Sequence, residues 1–482
     1  MTRSRATRLG RAGLLLPFLL ASACAAVPDL GTKPVPGAAI DYASARSLGG
    51  APSAWPADGW WKTYRDGQLD RLIAEGLAGS PDLAAAAARF RTAQGLAQQA
   101  GAALRPSIDG VASLDYQNSS QNIDGAHGQV PSGWHAIGTV GLSFNFDLDL
   151  FGKNRAALRA ANKDEEAARF DADEARLLLT TGIGTTYSDL ASLYAQRDSL
   201  EDALEIRTQT LKFVRGRYDG GLETIDSVRQ AEARIPQTKA ALAATDEAIM
   251  LDKHAIAALV GAGPDRALTI DRPNVSLLRA QGIPVDASID LVGRRPDVAA
   301  ARTRVEAAAE RIKEARASFY PNVNLGALVG LQSLGLGSLF EGGSGFASVN
   351  PAVSLPLFHG GELQGQYRGR RGQYDEAVAQ YDGEVIRALR ETADAVTSKN
   401  QLVERLSQSR NALEDFEASL RVAQGRYREG LTDYLTVLTA EESVVDARLV
   451  VAQLESRSFT LDVQLVRALG GGFASSRSQE QS

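Results

Sequence analysis

Thr139-Val140-Gly141-Leu142-Ser143-Phe144-Asn145-Phe146-Asp147-Leu148-Asp149-Leu150 alternates apolar and polar positions without a break. A period of two puts Val140, Leu142, Phe144, Phe146, Leu148 and Leu150 on one face of a strand, and Thr139, Gly141, Ser143, Asn145, Asp147 and Asp149 on the other. The pattern recurs as Val349, Val353, Leu355 and Leu357 against Ser348, Asn350, Ala352 and Ser354. Two further strands precede these, marked by Ile108, Leu114 and Tyr116, and by Val323, Leu325, Val329 and Leu331. The glycine-rich polar stretches 117–137 and 333–346 are the loops between paired strands. Each run approaches the ~10 residues with which a tilted strand crosses a bilayer, although a soluble sandwich has the same alternation.

The chain's first residues favour the bilayer. Arg3, Arg5, Arg8 and Arg11 precede the apolar run 13–20 and the small residues Ala21-Ser22-Ala23, which is the order of an export signal. The single cysteine, Cys24, follows at once and resembles the lipidated residue of a bacterial lipobox, with Leu20 one place early for the motif. Ala25 stands where inner-membrane retention has aspartate, so the expected destination is the outer membrane, with a lipid anchor and a body reaching into the periplasm. Removing residues 1–23 takes away four positive charges and no acid, moving the net charge from −6 to −10. No later stretch has the apolar length of a membrane helix, so strands must make any crossing. Four strands leave open edges that lipid does not tolerate, and three chains would supply twelve, enough for a closed ring with a watery lumen lined by residues such as Asn145, Asp147 and Asp149.

The chain is internally duplicated. Pro81-Asp82-Leu83, an alanine-rich helix and Leu104-Arg105-Pro106-Ser107-Ile108 match Pro296-Asp297-Val298, a second such helix and Phe319-Tyr320-Pro321-Asn322-Val323 at a constant offset of 215. Arg217-Tyr218-Asp219-Gly220-Gly221-Leu222 matches Arg426-Tyr427-Arg428-Glu429-Gly430-Leu431 at an offset of 209. From Lys153 to Tyr218 there is no proline, and Leu190, Leu193, Leu200, Leu204, Leu211 and Val214 have the spacing of a packed helical seam, predicting a helix of about 100 Å. Gly182 and Gly184 within it imply close packing or a bend. Its counterpart follows Gly360-Gly361.

The expected fold is therefore an α+β membrane protein, a duplicated long α-helical barrel plus four strands per chain that close as a twelve-stranded barrel in a trimer. The predicted divisions are a signal at 1–23, an extended segment at 24–65, repeats at 66–263 and 296–470, a connector at 264–295 and a disordered tail at 471–482.

Composition excludes much else. One cysteine and the histidines His127, His135, His254 and His359 cannot make a Cys/His zinc cluster, and the net negative charge argues against a nucleic-acid partner. No nucleophile elbow, phosphate loop or metalloprotease motif is present, Gly335-Leu336-Gly337 and 342–345 are loop glycines, and Glu441-Glu442 is expected on a solvated or subunit-contact helix face. Neither an enzyme nor a cofactor is expected.

The duplicated plan, Gly293-Arg294-Arg295-Pro296-Asp297-Val298 with Ala299-Ala300-Ala301, and the two Arg-Tyr-x-x-Gly-Leu turns together resemble the TolC-type outer-membrane efflux factors, and within them the lipidated OprM/NodT-like branch. That resemblance implies a homotrimer in outer-membrane lipid, docked to a periplasmic adaptor and an inner-membrane pump of the resistance-nodulation-division type, exporting small molecules passively. The same plan serves the exit duct of a type I protein-secretion system, and strands that never enter lipid would make a periplasmic coiled-coil scaffold lipoprotein. The resemblance assigns adaptor docking to Arg217, Tyr218, Gly221 and Leu222, and to Arg426, Tyr427, Gly430 and Leu431. It places a periplasmic gate at Leu435, Thr439 and Glu442, where the branch has leucine, aspartate and arginine, so the family's ion pair is expected to be absent. Asp226 is the alternative candidate, for an acidic ring.

Overall fold

The computed structural model describes residues 27–38, 42–44, 46–48, 54–118, 133–274 and 293–473. Cys24, the export signal and His127 lie outside them. A 3-10 turn (Trp60–Tyr64) and α1 (Gly67–Gly79) lead into the first repeat: α2 (Pro81–Ala102), β1 (Ser107–Asn118), β2 (Trp134–Asp147), α3 (Lys153–Asp219) and α4 (Ile225–Leu259). The second repeat is α5 (Pro296–Ala317), β3 (Asn322–Leu334), β4 (Gly345–Ser354), α6 (Glu362–Arg428) and α7 (Tyr434–Ala468). Corresponding helices are equal in length, 22 residues for α2 and α5, 67 for α3 and α6, and 35 for α4 and α7. Both repeats open on Pro-Asp, with proline where its missing N–H costs nothing and the acid near the helix N-terminus.

Two compact units are present. The first, residues 1–35, 91–167 and 302–380, holds one antiparallel sheet in the order β1-β2-β3-β4. The alternation first read as continuing to Leu150 stops at Asp147, because Asp149 adopts a left-handed backbone with φ 45° and caps the next helix. Its carboxylate is buried and accepts from the Asn154 and Arg155 N–H groups at 2.9 and 3.0 Å, so Asp149 belongs to a helix start and not to a lumen wall.

The second unit, residues 36–90, 168–301 and 381–482, contains the main apolar core. Trp60, Trp61, Tyr64, Leu69, Leu72 and Ile73 pack there with Ile183, Tyr187 and Leu190 of α3, and with Phe459 and Val463 of α7. The 3-10 turn therefore ends the extended segment well before residue 65. Gly184 is the close approach foreseen in α3: a Cβ there would lie 3.0 Å from the Trp60 ring. Asp66 caps α1 and accepts from Tyr187 Oη at 2.8 Å. The two repeats end alike, since a Cβ on Gly261 would meet Gly79 O at 2.2 Å and one on Gly470 would meet Arg294 O at 1.8 Å. Residues 471–473 are ordered in spite of the expected tail, because Gly471 and Gly472 take positive φ and Phe473 packs edge-on against Phe170 at 5.7 Å.

Behind the Arg295-Pro296-Asp297 motif lies a buried cation. Arg295 donates to both carboxylate oxygens of Asp297, to Glu391 at 2.8 Å and to Ala468 O at 3.3 Å. One guanidinium thus ties the start of α5 to α6 and to the end of α7, with every donor group engaged where an unpaired charge would be costly.

Candidate functional site

The sheet carries the first functional surface. Residues opposite one another in an antiparallel pair share a face. The register therefore joins Ile108, Ala112, Leu114 and Tyr116 of β1 to Trp134, Val140, Leu142, Phe144 and Phe146 of β2. It continues the same face through Leu325, Ala327, Val329 and Leu331 of β3 to Val349 and Val353 of β4. The other face presents Asp109, Ser113, Asp115, Thr139, Ser143, Asn145, Asp147, Asn324, Gln332, Ser348 and Asn350, with Val111, Ile137, Leu328 and Phe346 between them. Ile108, Leu114, Tyr116, Trp134, Leu142, Val329, Val349 and Val353 are each more than half exposed, an apolar area larger than a soluble surface ordinarily leaves bare. At ~3.4 Å per residue and ~40° of tilt this face spans roughly 20–30 Å, which brackets the ~25 Å apolar band of a membrane barrel. Stacked aromatics mark both ends: Tyr116 on Trp134 at 5.4 Å, and Phe151 on Tyr320 at 4.9 Å.

Close approach distinguishes the faces. Gly141 pairs with Gly330, and a Cβ on Gly330 would sit 2.2 Å from Val140 O, one on Gly141 2.5 Å from Val329 O. Both added atoms would project from the polar face, so β2 and β3 approach each other most closely on that side at this pair. Neither β1 nor β4 has a partner on its outer edge among the described residues.

The second surface is the pair of helical reversals, both in the second unit. At each, a left-handed glycine ends the long helix: Gly221 with φ 73° and Gly430 with φ 74°. Leu222 N–H reaches back to Arg217 O at 2.9 Å and Leu431 N–H to Arg426 O at 2.8 Å, the six-to-one closure of a Schellman turn. Thr224 and Asp433 then cap α4 and α7. Leu222 and Leu431 project into solvent, 68% and 67% exposed, and Arg426 is exposed as well.

The two tyrosines part company. Tyr218 is 41% exposed, whereas Tyr427 is 2% exposed in a core with Val214, Val228, Leu420, Tyr434, Val437 and Leu438. Tyr427 Oη donates to Glu223 at 2.5 Å, and Arg217 lies over its ring at 4.8 Å while donating to Arg428 O at 3.4 Å. Tyr427 and Arg217 therefore fasten the second reversal to the first, so Tyr427 builds the tip from inside and is not part of its outer surface.

The residues expected at a gate lie near the starts of α4 and α7. Leu435 is 58% exposed near the start of α7, and Thr439 Oγ1 donates to Leu435 O at 2.9 Å. Asp226 accepts from Gln230 at 2.8 Å. Glu442 forms an ion pair with Arg234 of α4 at 2.6 Å, a contact different from the family pair expected to be absent. Glu441, expected on a solvated or subunit-contact face, is 2% exposed within the chain and accepts from Thr210 of α3. Burial raises its carboxyl above the usual range despite the Thr210 bond and the Arg207 charge. Arg234, Glu223, Thr210 and Arg207 escaped sequence reading because each lies on a different element, helix or turn, from the residue it serves.

Residues 72–262 and 290–471 match the family model for outer membrane efflux proteins. The chain belongs to that family. Its members are non-enzymatic efflux channels of the outer membrane, and this chain is one. It is 37% identical to the fusaric acid resistance protein FusA of Burkholderia cepacia over 73% of this chain and 67% of that one. It is 32% identical to the multidrug resistance outer membrane protein MdtP of Escherichia coli strain K12, over 88% of each chain. The crystal structure of the outer membrane protein VceC of Vibrio cholerae superposes with a TM-score of 0.82 at 43% identity, covering 87% of this chain and all of that one.

Proposed function

We propose that three copies of this chain close their sheets into one twelve-stranded barrel in the bacterial outer membrane and form the exit duct of a tripartite efflux pump for small molecules. The observation that carries this reading is a four-stranded sheet with an exposed apolar face, a more polar opposite face and, among the described residues, two unpaired edges. Lipid favours the first, water the second, and pairing β4 of one copy with β1 of the next removes the third. The names of its relatives, which speak of fusaric acid and multidrug resistance, support small-molecule cargo over a secreted polypeptide.

Lipidation at Cys24 fits the path of the chain that follows it. Arg371 of α6 donates to Gly31 O at 3.2 Å and to Thr32 O, and Tyr374 Oη donates to Pro34 O at 3.0 Å. Arg371 lies nine residues into α6, about 14 Å from its start, and Cys24 is seven residues upstream of Gly31, a reach of up to ~25 Å. An acyl chain on Cys24 can therefore meet the membrane beside the sheet. Adaptor docking is assigned to the exposed Leu222, Leu431, Tyr218 and Arg426 with the glycine turns beneath them, and an inner-membrane pump of the resistance-nodulation-division type would supply the energy. Leu435, Thr439, Glu442 and Asp226 constitute the gate region, held by the links between hairpins.

The test is the native mass of protein extracted in detergent from outer membranes, followed by conductance in planar bilayers. Three chains and discrete conductance steps are expected. A lipidated monomer without conductance would overturn the reading and return the chain to the scaffold class.

A further inference from the structure

Residues 106–152 and 317–367, which contain all four strands and both intervening loops, include no lysine and no arginine. At the chain's own frequency of 52 in 482, stretches of this combined length would carry about ten. The flanking residues are all basic: Arg105 and Lys153 bound the first stretch, Arg316 and Arg368 the second. Antiparallel order brings all four to the same end of the sheet, the end from which the helices leave. Arg105 is two residues before β1, Lys153 opens α3, Arg316 is the last residue but one of α5, and Arg368 is six residues into α6, about 9 Å along that helix from its start.

All four side chains are exposed, and none has an ion-pair partner among the described residues. Arg155 nearby is different, being engaged with Asp149 at 3.1 Å. The other acids at this end are Asp109, Asp147, Glu314 and Glu362, spread over the strand ends and helices. The stacked Phe151–Tyr320 pair stands at the same end, where the apolar face gives way to polar surface. Aromatic rings followed by cations is the order met on leaving a bilayer's hydrocarbon for its headgroups.

We propose that Arg105, Lys153, Arg316 and Arg368 form a cationic collar that binds the phosphate headgroups of anionic phospholipids in the periplasmic leaflet. The proposal rests on the barrel reading above, and is argued from continuity with the apolar face and from charge complementarity. The described turn between β3 and β4 at the opposite end has no cation and bears Glu341, so the collar also gives the barrel an electrostatic direction in the membrane.

The experiment uses the full chain, purified in a neutral detergent and titrated with short-chain phosphatidylglycerol, short-chain phosphatidylcholine or inorganic phosphate, with unfolding temperature as readout. Phosphatidylglycerol alone should raise it, less so at high salt. Single Lys153→Gln and Arg368→Gln variants should each weaken apparent affinity about fivefold. A quadruple glutamine variant should lose the lipid response while keeping its unfolding temperature in detergent alone. Equal responses to both lipids, an equal response to free phosphate, or an undiminished response in the two single variants would each overturn the proposal. Flotation of the wild type with carbonate-washed liposomes separates the two readings: failure to float overturns the barrel itself, while flotation with no lipid selectivity overturns only the collar.

Discussion

Replacing Tyr427 by phenylalanine removes one hydroxyl from the fastening between the helical reversals and leaves the rest in place. The ring keeps its core contacts with Val214, Val228, Leu420 and Tyr434 and its position under Arg217. What disappears is the bond to the Glu223 carboxylate, a charge-assisted interaction of about 1.5–3 kcal/mol. Glu223 is only partly buried and keeps the Thr224 N–H at 3.0 Å, so water recovers some of this and the net loss is ~1–2 kcal/mol. If the bond holds the tip closed, the closed-to-open ratio falls roughly 5- to 30-fold. Open probability in planar bilayers measures it directly. Glu223→Gln should produce a similar shift, and the double variant little more than either alone, as for two ends of one interaction. Burial alone would raise the Glu223 carboxyl, but hydrogen bonds from Tyr427, Thr224 and Ser227, with the Arg217 charge, hold it below the ordinary range. A depressed acid stabilises above its ordinary range and fails only as pH falls through the lowered value, so the bond should persist in mild acid. Unchanged open probability in Tyr427→Phe, or fully additive effects, would refute the fastening as a determinant of closure.

Three further outcomes are expected. Arg234→Gln breaks the pair with Glu442, whose side chains are 27% and 40% exposed, so open probability should shift by at most ~1 kcal/mol, less than with Tyr427→Phe; a larger shift would mean the pair is shielded from water in the assembly. Burial first and Asp297 next push the Glu174 carboxyl up to about 7, against the pull of Arg295 and Arg467. The folded chain therefore holds that proton more tightly than the unfolded one, and stability should rise as pH drops from about 7 toward the ordinary value of 4.5, a slope that Glu174→Gln should flatten in thermal unfolding across pH. Gly430→Ala and Gly470→Ala both put an L-residue at positive φ, costing roughly 1–2 kcal/mol, but only at 470 does the new Cβ strike backbone, adding ~1–3 kcal/mol. Equal shifts in the denaturant midpoint would show that the contact with Arg294 relaxes freely.

The elements most legible beforehand were those written in repetition. Alternation placed β2 because six successive pairs obey one period, and the constant offsets of the Pro-Asp and Arg-Tyr segments foretold two matched sets of helices. The same regularity misled at Asp149, which continues the period in sequence but turns left-handed to cap α3. Tyr218 and Tyr427 occupy the same place in one motif, and nothing along the chain tells them apart; Tyr427 is buried because Phe213, Arg217 and Glu223 arrive from elsewhere. The partner of Glu442 was likewise hidden, since Arg234 comes across from α4. The closest approach of β2 and β3 was recognisable only once Gly141 and Gly330 were seen to face each other.

The matched helix lengths bear on stoichiometry. In the proposed trimer the two repeats of each chain set six reversals around one axis, all with the same left-handed glycine and the same back-bonded leucine. Their side chains differ: three offer an open tyrosine and three have drawn theirs inward. A ligand of the tip that grips the turn backbone and its leucine would count six equivalent seats, whereas one that grips the tyrosine would count three. Duplication has left the ring sixfold in its main chain and threefold in its chemistry.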